Sequence, residues 1–213
     1  MLVDRNPLPD DLAADLRRQL AFVIEVDQMK AVIRETVIPS VDRCENDAEH
    51  SWHLALMAIV LREHAREPVD LPRVLEMLIV HDLVEVYAGD TPLRLQDDQQ
   101  EVREREAADR LFPLLPGDQG DRLRGAWEEF EAHETAEAQF ARSLDRLQPM
   151  LMEWMHDGQR WRDNGASAEG IRSRLGIIAD GSPALWDVAE SLIAEADRRG
   201  WLSPDEPGNS VGF

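Results

Sequence analysis

The sequence predicts an all-α protein, a bundle of helices with no sheet of consequence. Apolar residues recur at three- and four-residue spacing along most of the chain. The composition is rich in Leu, Ala, Glu and Arg and poor in Thr and Tyr, a balance that favours helix over strand. No stretch shows a convincing strand alternation. At 213 residues the chain suffices for one domain with a closed core, predicted over 1–213, with the packed part at about 15–200 and a frayed tail at 203–213.

Residues 9–33 carry a helical stripe through Leu12, Leu16, Leu20, Val23, Ile24 and Met29, and Pro39 ends the pattern. Asn46 or Asp47 offers an N-cap for a second helix running to about Ala65. "EPVDLP" connects it to a third, with Asp70 as N-cap and Pro72 in the first turn. That third helix, about 71–88, is apolar nearly all round, which places it at the centre of the bundle, and Gly89 closes it. A charged helix at 97–112 precedes the Pro/Gly loop "PLLPGDQG". Helices at about 119–132 and 135–156 follow, then a looser stretch with one short helix at 158–182. A last helix runs from Pro183 to about Arg199.

The formal charge is −20, from 43 acidic against 23 basic residues. Such a surface repels phosphate backbones, so duplex nucleic acid is a poor partner, while a few local cations or a metal leave a small anionic substrate admissible. Cys44 is the only cysteine, which excludes an internal disulfide and fits a reducing compartment. The N-terminus lacks the pattern of a signal peptide, and the longest apolar run, "LALMAIVL" at 54–61, is far too short to span a bilayer. The expected setting is cytoplasmic.

The stretch "HDLVEVYAGD" at 81–90 stands out against this background. On a helix His81 and Glu85 share a face, and Asp82 and Glu85 lie three apart. A buried Asp82 needs a cation, a hydrogen-bond network or a metal, because an isolated buried carboxylate takes up a proton instead. Two further stretches point the same way. "ENDAEHSWH" places His50 at the head of the second helix. In "FARSLDRLQPMLMEW", Asp145 is flanked by Ala141, Leu144, Leu147 and Leu151, so it too can face inward. Pro149 cannot donate to the Asp145 carbonyl, and a bend is expected there. His50, His81, Asp82 and Asp145 make a mixed nitrogen and oxygen set suited to a divalent transition metal.

The order His50, His81-Asp82, Asp145 resembles the His…His-Asp…Asp signature of the HD-domain metal-dependent phosphohydrolases. "HDLVEVYAGDTP" is similar to the version found in the 5'-deoxynucleotidase-like branch, as are "RRQLAFVIEVDQMKAVIRE", "ENDAEHSWHLALMA" and "LDRLQPML". The resemblance implies an HD-type bundle in which His50, His81, Asp82 and Asp145 bind one divalent ion: Mn, Co, Fe, Mg, Zn or Ni. It implies Glu85 as general acid or base, and Asp90 as a residue that contacts the substrate sugar or orients the attacking water. Arg34, upstream of the first histidine, would contact the substrate phosphate, with Arg43 as its rival. Glu35 departs from the aromatic expected beside that arginine, which bears on nucleotide preference.

The implied reaction is removal of phosphate from a small phosphorylated metabolite, a (deoxy)nucleoside 5'-monophosphate first among them, by a homodimer. Two other readings stand beside it: a dinuclear phosphodiesterase or oxygenase, which would need further His/Asp ligands before Asp145, and a nucleotide-binding protein without turnover. His53 reads either as support for His50 or as an ordinary helix-face histidine. Trp52 reads as core or interface rather than a base-stacking residue.

Overall fold

The computed structural model describes residues 8–9, 11–92 and 99–205. In chain order the helices are α1 (Ala14–Glu25), α2 (Asp47–Leu61), α3 (Leu71–Val80), α4 (Glu85–Ala88), α5 (Gln100–Leu111) and α6 (Gln119–Ala132). The second half continues with α7 (Ala136–Met155), α8 (Gln159–Asp163), α9 (Ala168–Leu175), α10 (Ile178–Gly181) and α11 (Pro183–Arg198). The fold class is all-α, as predicted. Among the described residues no helix is long and apolar enough to cross a membrane.

Four expectations change. The first predicted helix stops at Glu25, and a 3-10 turn at Val26–Ala31 leads into a strand the sequence did not reveal. That strand, β1 (Ile33–Ile38), pairs antiparallel with β2 (Arg43–Asn46) in the register Ile33↔Asn46, Val37↔Cys44 and Ile38↔Arg43. The predicted helix at 71–88 is broken: α3 ends at Val80 and α4 restarts at Glu85. The stretch at 158–182 holds three short helices rather than one. Residues 203–205, assigned to a frayed tail, are tied down. Ser203 N donates to Ala166 O at 2.8 Å, and Asp205 Oδ1 accepts from Glu169 N at 3.0 Å. The rest of that tail, and the predicted start of α5 at 97–98, lie outside the described residues.

The hairpin settles the start of α2. Asn46 is the N-cap: its side chain accepts from Glu49 N at 3.0 Å, and Glu49 Oε2 accepts from Asn46 N at 3.1 Å, a reciprocal capping box. Asp47, the other candidate, is thereby free to turn inward. Pro149 lies inside α7 without ending it.

Two hydrophobic clusters meet around the centre of the chain. Leu54, Met77, Leu78, Phe140, Leu144 and Ile193 belong to the first, between α2, α3, α7 and α11. Phe22, Val84, Leu111, Phe112 and Trp127 belong to the second, between α1, α5 and α6. The chain crosses from one to the other between Leu78 and Val80, so His81 and Asp82 emerge at the seam. Close approach also fixes α10 against α7: a Cβ on Gly181 would stand 2.2 Å from the Gln139 carbonyl oxygen.

Candidate metal centre

The break in the third helix sets the geometry. His81 N still bonds Met77 O at 2.8 Å, but then Leu83 N bonds Val80 O at 3.0 Å and Glu85 N bonds Asp82 O at 2.9 Å. Bonds to the third residue back tighten the backbone toward three residues per turn, where side chains three apart eclipse one another. Asp82 and Glu85 therefore stack on one side, and their carboxylates lie with that of Asp47 within 4.8 Å of one another.

From α2, the turn after α3, and α7, four side chains converge. His50 Nε2 lies 3.1 Å from Asp145 Oδ1 and 4.0 Å from Asp82 Oδ2. His81 Nε2 lies 3.0 Å from Asp82 Oδ2 and 3.8 Å from Asp145 Oδ1. All four residues are buried. The opposite ring nitrogens are anchored. His81 Nδ1 donates to Leu78 O at 3.1 Å. His50 Nδ1 donates to Gln148 Oε1 at 3.2 Å, with Glu45 Oε1 at 3.3 Å. These anchors leave each Nε2 as the nitrogen aimed at the centre, where it can offer a lone pair to a metal in place of a proton.

This donor set fits a divalent metal. His81 Nε2 is buried and makes no hydrogen bond, although Asp82 Oδ2 lies 3.0 Å away. A buried ring nitrogen without a partner is costly. His50 Nε2 faces Asp145 Oδ1 at 3.1 Å, and two imidazoles with two carboxylates are what a transition metal takes.

Sequence reasoning did not find Gln148, Glu45 or Asp47. Gln148 is fully buried; its Nε2 donates to Glu45 Oε2 at 3.0 Å and to His53 Nδ1 at 3.2 Å. His53 thus supports His50 through Gln148 rather than standing apart. Gln148 lies three residues after Asp145 on the same helix face, which was the available signal. Nothing local marks Glu45, because its inward aim depends on pairing with β1.

Arg34 reaches the site from β1, and Arg43 does not. Arg34 Nη1 donates to Asp82 Oδ2 at 2.8 Å and Asp47 Oδ1 at 3.1 Å, with Asp90 Oδ1 at 3.8 Å. Arg43 is exposed and paired with Glu49. Trp52 is 66 % exposed, stacks on His53 and takes no part in the central cluster.

The electrostatics follow from burial and proximity. Burial raises the Glu85 carboxyl and the neighbouring Asp82 and Asp47 raise it further, so it is pushed up to about 12. Asp47 is pushed up to about 6 by burial and Asp82, against the pull of Arg34. Burial also raises Asp90. Burial opposes ionisation of Asp82 and Asp145 too, but cations win there: His81 and Arg34 hold Asp82 well below the usual carboxylate range, and Arg146 and His50 do so for Asp145. Burial and Arg34 depress His50, yet Asp145, Glu45 and Asp82 outweigh them and push it up to about 9. The cluster is therefore built to hold positive charge, which a proton on His50 supplies when no metal does. A broad cleft of about 1970 Å³ opens onto Arg34, His81, Asp82, Glu85, Asp90 and Asp145.

A helical bundle that buries His, His-Asp and Asp around one point is the arrangement of an HD domain. The chain belongs to that family, whose pattern matches residues 26–186. Human 5'-deoxynucleotidase HDDC2 is 33 % identical over 138 residues, 63 % of this chain and 66 % of that protein. The bovine protein of the same name is 33 % identical over 153 residues, 70 % of this chain and 73 % of its own length. The chain thus spans about two thirds of the length of the curated relatives it matches. The crystal structure of a predicted metal-dependent phosphohydrolase from Magnetospirillum magnetotacticum MS-1 superposes with a TM-score of 0.86 at 45 % identity, covering 93 % of this chain and all of that one. The PH0347 protein from Pyrococcus horikoshii OT3, at 22 % identity and a TM-score of 0.58, shares the fold over 84 % of this chain and 98 % of its own.

Proposed function

We propose that the protein is a metal-dependent phosphohydrolase that removes phosphate from a small phosphorylated metabolite, with a (deoxy)nucleoside 5'-monophosphate as the first candidate. The observation that carries this reading is the convergence of His50 Nε2 and His81 Nε2 with Asp82 and Asp145 beside Glu85 and Arg34. The similarity to proteins named 5'-deoxynucleotidase supports the nucleotide as substrate.

His50, His81, Asp82 and Asp145 would hold one divalent ion, and the mixed nitrogen and oxygen set suits Mn, Co, Fe, Zn or Ni more than Mg. Such an ion, when bound, polarises a phosphate oxygen and makes water nucleophilic near neutral pH. The other steps belong to the chain. Arg34, clamped through Nη1, presents a charge with little freedom left to lose when a phosphate arrives. Glu85 carries a proton at neutral pH and is the donor to the leaving sugar oxygen. Asp90, half-turned toward Arg34 past Gly89, contacts the sugar or orients the attacking water.

The reading includes a homodimer in a cytoplasmic setting. An apolar stripe of Trp52, Leu56, Ile59 and Val60 is exposed along α2, a low-charge face on a chain of net charge −20 that suits a second copy.

The test is phosphate release from a panel of nucleoside and sugar monophosphates, with Mn, Co, Mg or Fe added singly. Asp82→Ala serves as the contaminant control. Release by the wild type alone is expected; no release from any monoester by metal-loaded wild type refutes the activity.

A further inference from the structure

The cleft beside the metal centre is larger than a simple monophosphate needs. Small-molecule pockets run to about 300–1,000 Å³, and this cleft measures about 1970 Å³. Its lining continues along one face of α7, from Asp145 and Arg146 through Pro149 and Met150 to Glu153, about 12 Å of helix. Beyond that point α8 and α9 contribute Trp161 and Arg174 to the wall.

Seven arginines line this cleft. Six of them, Arg34, Arg105, Arg124, Arg142, Arg146 and Arg160, are ion-paired with a carboxylate. Arg174 is the exception: among the described residues it has no ion pair, hydrogen bond or ring contact. Its guanidinium lies over the preceding turn of α9, where a Cβ on Gly170 would stand 3.9 Å from Nη1 and 3.8 Å from Nη2. The side chain is half-buried, and burial alone lowers it from the usual arginine value. A cation that gives up water without gaining a partner is costly, and this chain has 43 acidic residues from which a partner could have come. Two carboxylates near this end of the cleft are engaged elsewhere. Glu153 Oε1 accepts from Arg160 N at 2.8 Å and Trp161 N at 3.3 Å, and Asp205 Oδ1 accepts from Glu169 N at 3.0 Å.

We propose that Arg174 is a distal anion-binding residue of the cleft, and that the substrate is a phosphate monoester carrying a second anionic group, phosphate or carboxylate, remote from the scissile ester. This rests on the phosphohydrolase reading above and narrows its substrate class. The scissile phosphate belongs at the Arg34 end, and the second group meets the planar fork of N–H donors on Arg174. A substrate held at both ends presents its ester in one direction, which is the positioning a hydrolase needs. The unpaired state of Arg174 also helps binding, because no internal ion pair has to break when the ligand arrives.

The test compares matched ligands that differ by one anionic group. A hexose 6-phosphate is set against the 1,6-bisphosphate and against 6-phosphogluconate, and a nucleoside 5'-monophosphate against its 3',5'-bisphosphate. Wild type, Arg174→Met and Arg174→Lys are titrated with each by calorimetry without added metal, and kcat/KM is measured with Mn. The wild type should prefer the doubly charged member of at least one pair by about 10–100-fold. Arg174→Met should abolish that preference, and Arg174→Lys should keep part of it, since the charge stays and the fork is lost. Whether the bisphosphate or the phosphogluconate wins tells phosphate from carboxylate. The Tm of Arg174→Met should stay within about 2 °C of wild type, because no internal contact is removed. Equal affinity within every pair, or a preference that survives Arg174→Met, overturns the proposal. A binding preference with no phosphate released from any ligand would instead sink the hydrolase reading and leave the Arg174 site standing.

Discussion

Gln148 makes the sharpest test of how the centre is held, because it braces His50 and Glu45 without lining the cleft. It is fully buried and makes three contacts: it accepts from His50 Nδ1 at 3.2 Å and donates to Glu45 Oε2 at 3.0 Å and His53 Nδ1 at 3.2 Å. Gln148→Met keeps the unbranched shape, so the packing change is small. The polar loss is not. Glu45 Oε2 loses its donor in a buried setting, His50 Nδ1 keeps only Glu45 Oε1 at 3.3 Å, and half-buried His53 can turn to water. At about 1–3 kcal/mol for each buried group left short, with one of three rescued by solvent, the cost is about 2–6 kcal/mol. For a chain of this length that lowers Tm by roughly 4–24 °C. Loss of the anchor on His50 should also weaken metal binding by about 10–100-fold. Thermal melts of the metal-free protein and a competition titration with a chromogenic chelator read the two effects separately. A Tm within about 2 °C of wild type together with unchanged metal affinity would refute the anchoring role.

Three other expectations follow from the same geometry. Saturating metal at about 100 times Kd should stabilise the native state by about 2.7 kcal/mol, a Tm rise of about 5–11 °C that a chelator reverses and Asp82→Ala lacks; an unmoved wild-type Tm would contradict a metal site. Gly181→Ala should cost about 1–3 kcal/mol in a urea melt, because its Cβ would meet backbone atoms of Gln139 at 2.2 and 2.3 Å and α10 must move away from α7; a neutral result would mean that contact is soft. Leu56→Glu should convert a species of twice the 24.2 kDa chain mass to one of single mass in light scattering, and a wild type already at single mass would exclude a dimer through α2.

The helices with long periodic stripes were legible. Bounds for α6, α7 and α11 agree with the sequence reading to within a residue or two, because their apolar stripes and terminal signals coincide. The convergence of His50, His81, Asp82 and Asp145 was legible too, since each is a polar residue set into an apolar helical pattern, a conflict that burial alone does not resolve. The hairpin was not. Ile33–Ile38 is too short for its alternation to show, and what makes it a strand is the backbone ladder to Arg43–Asn46, which side-chain patterns do not encode. The break after Val80 was hidden for the opposite reason: "VHDLVEV" has no breaker, and the apolar run reads as continuous helix while the backbone tightens beneath it. Of the two pairings that the spacing offered, His81 with Glu85 and Asp82 with Glu85, the tightened turn favours the second.

The hairpin divides the inheritance of the centre in two. Arg34, Glu45, Asp47 and the cap of α2 all come from one continuous segment, 33–47, whose strands are closed on each other by a turn at 39–42. His81 and Asp82 come from the turn after α3 and Asp145 from α7, between the core clusters. The substrate-side arginine, the brace on His50 and Asp47 therefore all depend on the closure of one short hairpin, while the histidines rest on the helices of the bundle.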